Sequence, residues 1–302
     1  MSLVYINGKT ISPEEATISV YDRGFLFGDA IYEVLRSYGQ ILFTIEQHVE
    51  RLYRSAACIG LDIGLTKDEL IGEIYSFYKQ QPIDNVYIRI QISRGSVAKE
   101  QINLSPDNFD RSTIVMYLHD VKILPESKYE GGISLYCSTV KRNTSSSMSP
   151  NIKSGNYLNN IMALLPKDSS KYQDSYMLDH QGYVTEGTTF NIFFIKEGVI
   201  YTSPDQADIL HGITRDIVFY CADKLNIKVK KEFFKPKSIQ QADEAFATSS
   251  TKEIVPITKI DQYAIGSGKL GGVTKKLMQE YKTYIEEYII TAKQKHPWSG
   301  NV

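Results

Sequence analysis

The chain has 302 residues, more than one average hydrophobic core serves, so its length favours two domains. A charged fraction of 23% and a formal net charge of −1 exclude the basic excess of a nucleic-acid binder. Its cysteines, Cys58, Cys137 and Cys221, are odd in number and widely spaced, and its five histidines lack metal-ligand spacing. Neither a disulfide framework nor a metal site is expected, and a reducing cytoplasm fits best.

The chain opens on MSLVYINGKTI, a strand pattern rather than a basic region followed by a greasy run, so no signal peptide is read. Its apolar runs are too short to span a membrane. Asn7-Gly8 between Val4–Ile6 and Lys9–Ile11 predicts a two-residue hairpin, because both turn positions need positive φ. A second hairpin is predicted from Ile31–Tyr38 through Gly39-Gln40 to Ile41–Thr44. Ile45, Val49, Leu52, Ala56 and Ile59 repeat at helical spacing, and a further helix is expected over Lys67–Lys79. Val86–Ser93 and Ser112–Leu118 read as strands that complete a small α/β domain, 1–120. Residues 121–132 carry Pro and Gly and read as an interdomain linker, leaving 133–302 as a larger second domain.

That second domain is expected to open with a strand over Ile133–Val140, followed by a Ser-rich loop over Arg142–Ser149. A helix over Tyr157–Leu165 and antiparallel strands at Ser175–Asp179, Tyr183–Thr185, Asn191–Ile195 and Val199–Thr202 come next. Then follow a helix at 214–225, a strand at 227–233, a short helix near 238–242, strands near 244–248 and 253–257, and a last helix around 272–288. Strands in meanders with helices between them indicate an α+β (mixed α/β) fold rather than strict βαβ alternation.

Several residues stand where chemistry could be done. Lys153 lies between the Ser-rich loop and a helix, beside the turn-forming Ser154-Gly155-Asn156. Glu186 is expected just after a strand, next to Gly187. Gly212-Ile213-Thr214-Arg215 opens a helix whose first N–H groups suit an anion. Thr248-Ser249-Ser250-Thr251 offers hydroxyls at a turn, and His48, Arg51 and Ser55 share a helix face. Each also fits an ordinary role: a solvated loop lysine, a turn glutamate, an N-cap by Thr214, a Ser/Thr turn and a solvated helix face.

Taken in order, the strings Asp22-Arg23-Gly24 with Phe27-Gly28-Asp29, Tyr32-Glu33, His48 to Leu52, Lys153 to Asn160, Val184 to Gly187 with Asn191, Gly212 to Arg215 and Thr248 to Glu253 carry a resemblance. From about residue 4 to 288 the chain resembles the fold-type IV (class IV) aminotransferases that use pyridoxal 5′-phosphate, the branched-chain and D-amino-acid aminotransferase family. The resemblance implies two domains, the larger with a strand-rich pseudo-barrel and flanking helices. It implies that Lys153 is the Schiff-base lysine, that Glu186 pairs with the pyridinium nitrogen, and that Arg51, Ile213, Thr214 and Ser250 hold the phosphate. Tyr157 matches the tyrosine that hydrogen-bonds the cofactor's phenolic oxygen, and Thr251 stands in a turn facing the substrate carboxylate. A homodimer is implied as well, with Tyr32 or Arg36 serving the neighbouring subunit's site.

For substrate, the first domain is most similar to D-amino-acid aminotransferases, but the Arg-x-His pair those enzymes carry after Arg94-Gly95 is absent, with Lys99 and Glu100 near its place. Tyr87 and Arg89 match carboxylate ligands of branched-chain enzymes, Arg36 has a branched-chain counterpart, and Val34 replaces a pocket glycine. Carboxylate ligands bear on substrate directly, which favours a branched-chain amino acid and 2-oxo acid. D-amino-acid transamination is the alternative, followed by aminodeoxychorismate lyase, (R)-amine transaminase, and a PLP-binding protein without activity.

Overall fold

The computed structural model describes residues 3–81, 83–96, 104–106, 111–165, 168 and 170–295. The backbone groups into two compact units: Met1–Val121 with Ile152–Asn156 and Glu287–Val302, and Lys122–Asn151 with Tyr157–Glu286. The main run of the first unit ends at Val121. The contiguous division differs at two places, because Ile152–Asn156 and the chain from Glu287 group with the first unit. Within that unit Tyr288 packs edge-on against Phe43 at 5.0 Å and donates to Glu46 at 3.2 Å.

The first unit is built on one antiparallel sheet in the order β2-β1-β6-β5-β3-β4. Its strands are β1 (Val4–Ile6), β2 (Lys9–Ile11), β3 (Ala30–Tyr38), β4 (Ile41–Leu42), β5 (Val86–Ser93) and β6 (Thr113–Asp120). Asn7 and Gly8 adopt positive φ at the first hairpin, as do Gly39 and Gln40 at the second. Ahead of β3 lies a five-residue helix the sequence reading did not contain, α1 (Arg23–Phe27), capped by the Asp22 side chain on Gly24 N–H and closed by Gly28 at φ +68. Asp29 then anchors the start of β3 by accepting from both Arg23 and Arg94 at 2.8 Å.

Helices α2 (Ile45–Cys58) and α3 (Lys67–Lys79) form where the periodicity predicts, and α3 opens on a full Thr66/Glu69 capping box. They cover one sheet face, and Ile31, Leu35, Ile45, Val49, Leu52, Leu70, Ile74, Ile88 and Ile90 form the core there. Each such side chain contributes roughly 1.5–3 kcal/mol through burial.

In the second unit the strands run β12-β11-β10-β13-β14-β7-β8-β9, with β15 (Tyr263–Ala264) on β14. They are β7 (Ile133–Cys137), β8 (Asp174–Leu178), β9 (Val184–Gly187), β10 (Asn191–Lys196), β11 (Val199–Thr202), β12 (Val229–Lys231), β13 (Glu244–Ser249) and β14 (Glu253–Ile260). The meander reading captures β8–β9, β10–β11 and β13–β14, but β14–β7, β7–β8 and β11–β12 pair in parallel. Parallel neighbours need crossovers, and α7 (Ile213–Lys224), between β11 and β12, supplies one.

The expected linker is not open chain: Pro125 and Gly132 bound a helix, α4 (Glu126–Gly131), whose Gly131 carbonyl accepts from Thr258 on β14. The Ser-rich loop contains one helical turn, α5 (Ser145–Met148), tied through Ser145 to Asp208. Helix α6 (Leu158–Leu164) follows the lysine segment. Helix α8 (Pro236–Gln240) begins two residues before its expected start, where Pro236 takes the first helical turn, and α9 (Gly272–Lys295) outruns its expected end. Among the described residues no helix is long and apolar enough to cross a membrane.

One buried cluster ties α2 to β3. Glu33 accepts from Arg51 Nε at 2.6 Å and Nη2 at 2.9 Å, and lies 2.7 Å from His48 Nδ1. All three side chains are nearly inaccessible, which rules out the solvated-face reading of His48, Arg51 and Ser55. Burial alone would raise the Glu33 carboxyl, but Arg51 and His48 outweigh it and hold the group far below the ordinary carboxylate range. Burial pushes the His48 imidazole below its ordinary value, against the pull of Glu33, so neutral His48 donates its Nδ1–H to the carboxylate.

Both shifts act on stability in the same direction. The unfolded chain takes protons on histidine near pH ~6.5 and on glutamate near ~4.3, while the folded chain resists both. Stability from the cluster is therefore complete at neutral pH and is lost as pH falls, first below about 6.5 and further below about 4.3. Urea midpoints measured between pH 8 and 4 should fall in those windows, with a shallower upper limb in His48→Gln; a midpoint that rises on acidification contradicts the assignment. Glu33→Gln leaves the Arg51 guanidinium buried without its anion and should cost about 3 kcal/mol.

Candidate active site

In the first unit the candidate residues gather around Lys153. Its segment lies along the start of β3: Tyr32 N–H donates to Lys153 O at 2.9 Å, Gly155 N–H donates to Ala30 O at 2.6 Å, and Ser154 bridges Ile31. From the other side, Lys153 N–H donates to Ser55 Oγ at 3.1 Å, and that hydroxyl donates to Arg51 O on α2. The glycine of Phe27-Gly28-Asp29 is used here, since a Cβ at Gly28 would press on the Asn156 side chain at 3.0 Å. Lys153 is thus no solvated loop lysine; its backbone is held at three points.

The Lys153 amine lies 3.2 Å from the Tyr32 hydroxyl and 4.4 Å from the Tyr32 ring centroid. Tyr32 therefore meets the lysine of its own chain. Arg89 stacks on the same ring at 3.8 Å. Its Nε and Nη2 donate to Gln91 Oε1 at 3.2 and 3.0 Å, and among the described residues neither Arg89 nor Lys153 has a carboxylate partner. Register explains the grouping: Tyr32, Val34 and Arg36 lie opposite Gln91, Arg89 and Tyr87, all on one sheet face. Arg36 is buried with its guanidinium 4.4 Å over Tyr38, and Tyr87 stacks on His119 at 4.3 Å. Lys99 and Glu100 lie outside the described residues.

In the second unit Glu186 lies inside β9 rather than after it, and is buried. Its Oε1 accepts from Arg142 Nε at 3.0 Å and Nη2 at 2.8 Å; its Oε2 accepts from Leu210 N–H at 3.0 Å and Asn191 Nδ2 at 3.2 Å. Those donors favour the anion, so this carboxylate suits a cationic ring N–H and not a neutral acceptor. Arg142 was read only as the start of a loop; its partner is 44 residues away, and no local spacing marks such a pair.

Helix α7 starts at Ile213 with Gly212 as N-cap and no side-chain cap, so Thr214 is a helical residue and not the cap. The first N–H groups of that helix lack intrahelical partners and Gly212 brings no side chain to take them, an arrangement that suits phosphate. Arg215 turns inward to Asp205 at 2.9 Å and Ser203 O. Ser250 and Thr251 occupy the turn between β13 and β14. Just before it, Thr248 Oγ1 is buried with no hydrogen-bond partner. Tyr157 stands at the start of α6. In the first unit a lysine amine has no carboxylate partner among the described residues; in the second, a buried carboxylate, open helix-start donors and an orphaned hydroxyl are present, and these are the chemical types that pyridoxal phosphate calls for.

Comparison with known proteins agrees with this chemistry. The family model for amino-transferase class IV matches residues 30–260. A D-alanine aminotransferase of Staphylococcus haemolyticus is 37% identical over 95% of this chain and 99% of its own. A Methanocaldococcus jannaschii protein assigned by name as a branched-chain-amino-acid aminotransferase is 35% identical over 92% and 95%. Among solved structures, the Escherichia coli branched-chain amino acid aminotransferase superposes with a TM-score of 0.88 at 27% identity, covering 94% of each chain. The chain belongs to the class IV aminotransferases, and so to the transaminases that depend on pyridoxal phosphate.

Proposed function

We propose that the chain moves amino groups between a branched-chain-type amino acid and a 2-oxo acid, with Lys153 bearing the cofactor. The observation that carries this reading is the Lys153 amine, 3.2 Å from the Tyr32 hydroxyl, on a backbone pinned to β3. Pyridoxal phosphate, when bound, supplies an aldehyde and an electron-accepting ring. Lys153 takes the proton from the substrate Cα and returns it during transfer, with the Tyr32 hydroxyl holding the amine in place. Glu186, kept anionic by Arg142, holds the ring N–H, and Tyr157 meets the phenolic oxygen. In the second unit Ile213 and Thr214 at the start of α7, with Ser250, would hold the phosphate and Thr251 would face the substrate carboxylate; the family resemblance gives Arg51 a phosphate role as well, beside its bonds to Glu33.

Arg89 favours the branched-chain-type reading, because a guanidinium opposed by a neutral amide and an aromatic ring keeps its charge for a substrate carboxylate. Arg36 and Tyr87, on the same sheet face, complete the recognition surface. The specific support for D-amino acids is the similarity to D-alanine aminotransferases across nearly the whole chain. The unpaired cysteines support a cytoplasmic enzyme. Leu158, Ile161, Met162 and Leu165 stand 64, 52, 45 and 74% exposed at helical spacing along α6, and this apolar stripe supports a homodimer in which a second copy covers it.

Borohydride should fix the cofactor to Lys153, and Lys153→Ala should lose transamination by about a thousandfold or more. L-Leucine should bleach the visible band of the loaded protein faster than D-alanine or (R)-1-phenylethylamine; bleaching by D-alanine with none by L-leucine would overturn the substrate reading. Arg89→Gln should raise KM for the amino acid about tenfold with a smaller change in kcat. Sedimentation should give a dimer that Ile161→Lys dissociates, and a monomeric wild type refutes the assembly.

A further inference from the structure

Asn191 is bonded on several sides at once. Its Nδ2 donates to Glu186 Oε2 at 3.2 Å and to Leu210 O at 2.9 Å, and Leu210 N–H donates back to the same Glu186 oxygen at 3.0 Å. The three residues close a ring of hydrogen bonds. Leu210 lies two residues before Gly212, the N-cap of α7, and a Cβ on Gly212 would overlap Asn191 Oδ1. Gly212 itself has φ −77 and ψ 134, which any residue adopts, so glycine is required there by the closeness of Asn191 and not by backbone conformation. Asn191 is 6% exposed at the start of β10, opposite Thr248 of β13, and so is rigidly placed.

We propose that Asn191 is a positioning residue that fixes the separation between the Glu186 carboxylate and the anion-binding start of α7, matching it to a ligand with a ring N–H at one end and a phosphate at the other. The idea rests on the cofactor reading above. The Glu186 carboxylate does not need Asn191 to be held, since Arg142 grips its other oxygen through two bonds. The path from that carboxylate to Leu210 and Gly212, by contrast, runs through the Asn191 amide and the Leu210 N–H. Loss of the amide therefore leaves each end competent and loosens the distance between them. Such a residue discriminates a linked ligand from its separate halves.

The test compares the apoprotein's affinity for pyridoxal phosphate and for pyridoxal, each read from the absorbance of the lysine-bound form. Asn191→Ala removes the amide, and Gly212→Ala displaces it by contact with its oxygen while Asn191 itself is kept, so a folding failure in one variant leaves the other to answer. Each should weaken pyridoxal phosphate by about tenfold or more, the range for a lost hydrogen bond to a charged group, and change pyridoxal by less than about threefold. An equal loss for both ligands, or no loss for either, overturns the spacing role while the cofactor reading stands. A wild-type protein that forms no such absorbance with pyridoxal phosphate overturns the cofactor reading instead, and this proposal with it.

Discussion

Backbone pairing between Ile152–Asn156 and the start of β3 is the constraint on which the first unit's chemistry depends. The Tyr32 N–H and the Ala30 carbonyl are edge groups of a strand, and the lysine segment satisfies them as a partner strand would. A lysine on a free loop would spread its amine over many rotamers. Here the Cα is fixed on one side by β3 and on the other by Ser55 of α2, so only the side chain's own torsions remain. The same register sends Tyr32 to the face that bears the amine and sends its neighbours Ile31 and Glu33 to the core. One strand thereby orders the reactive amine, the sheet core and the ion cluster that binds α2.

The two units use the same electrostatic device. Glu33 is gripped by Arg51 and Glu186 by Arg142, each through two guanidinium nitrogens. Buried pairs of this kind add little net stability compared with apolar packing, but breaking one is costly, so they fix orientation more than they add stability. The consequence differs between the units. Neutral His48 donates to Glu33 and leaves the Glu33–Arg51 pair balanced. Glu186 is instead fixed from both oxygens, by Arg142 on one and by Leu210 N–H and Asn191 on the other.

Legibility in the sequence followed the range of the interaction. Both hairpins and helix α2 were readable because their signals are local, Asn7-Gly8 and the helical apolar spacing, and the capping box that opens α3 is a local feature too. Helix α4 was hidden because Pro125 and Gly132 serve equally as linker residues and as helix boundaries, and contact with β14 decides between them. The parallel pairs of β7 with β14 and β8 depend on residues far apart in sequence, which periodicity does not register. Among candidate site residues, the lysine, the acid and the α7 start stand out in the sequence only through a family resemblance across separate strings. The bonds of Glu186 to Arg142 and of Asn191 to Leu210 do not, because each joins residues of different segments.

Proteins named as branched-chain and as D-alanine aminotransferases alike are similar to this chain over nearly its full length. One sheet face of the first unit carries Tyr32, Val34 and Arg36 opposite Gln91, Arg89 and Tyr87. On that face Val34 lies directly opposite Arg89, so a β-branched side chain stands beside the guanidinium where a glycine would leave space. Arg89 in turn is held over the Tyr32 ring, with both of its bonds to Gln91 Oε1 fixing its direction. The Arg89 guanidinium thus has an aromatic ring, a neutral amide and a stiff aliphatic side chain around it. Its placement beside Tyr32, whose ring and hydroxyl also meet the Lys153 amine, is built into the register of β3 and β5.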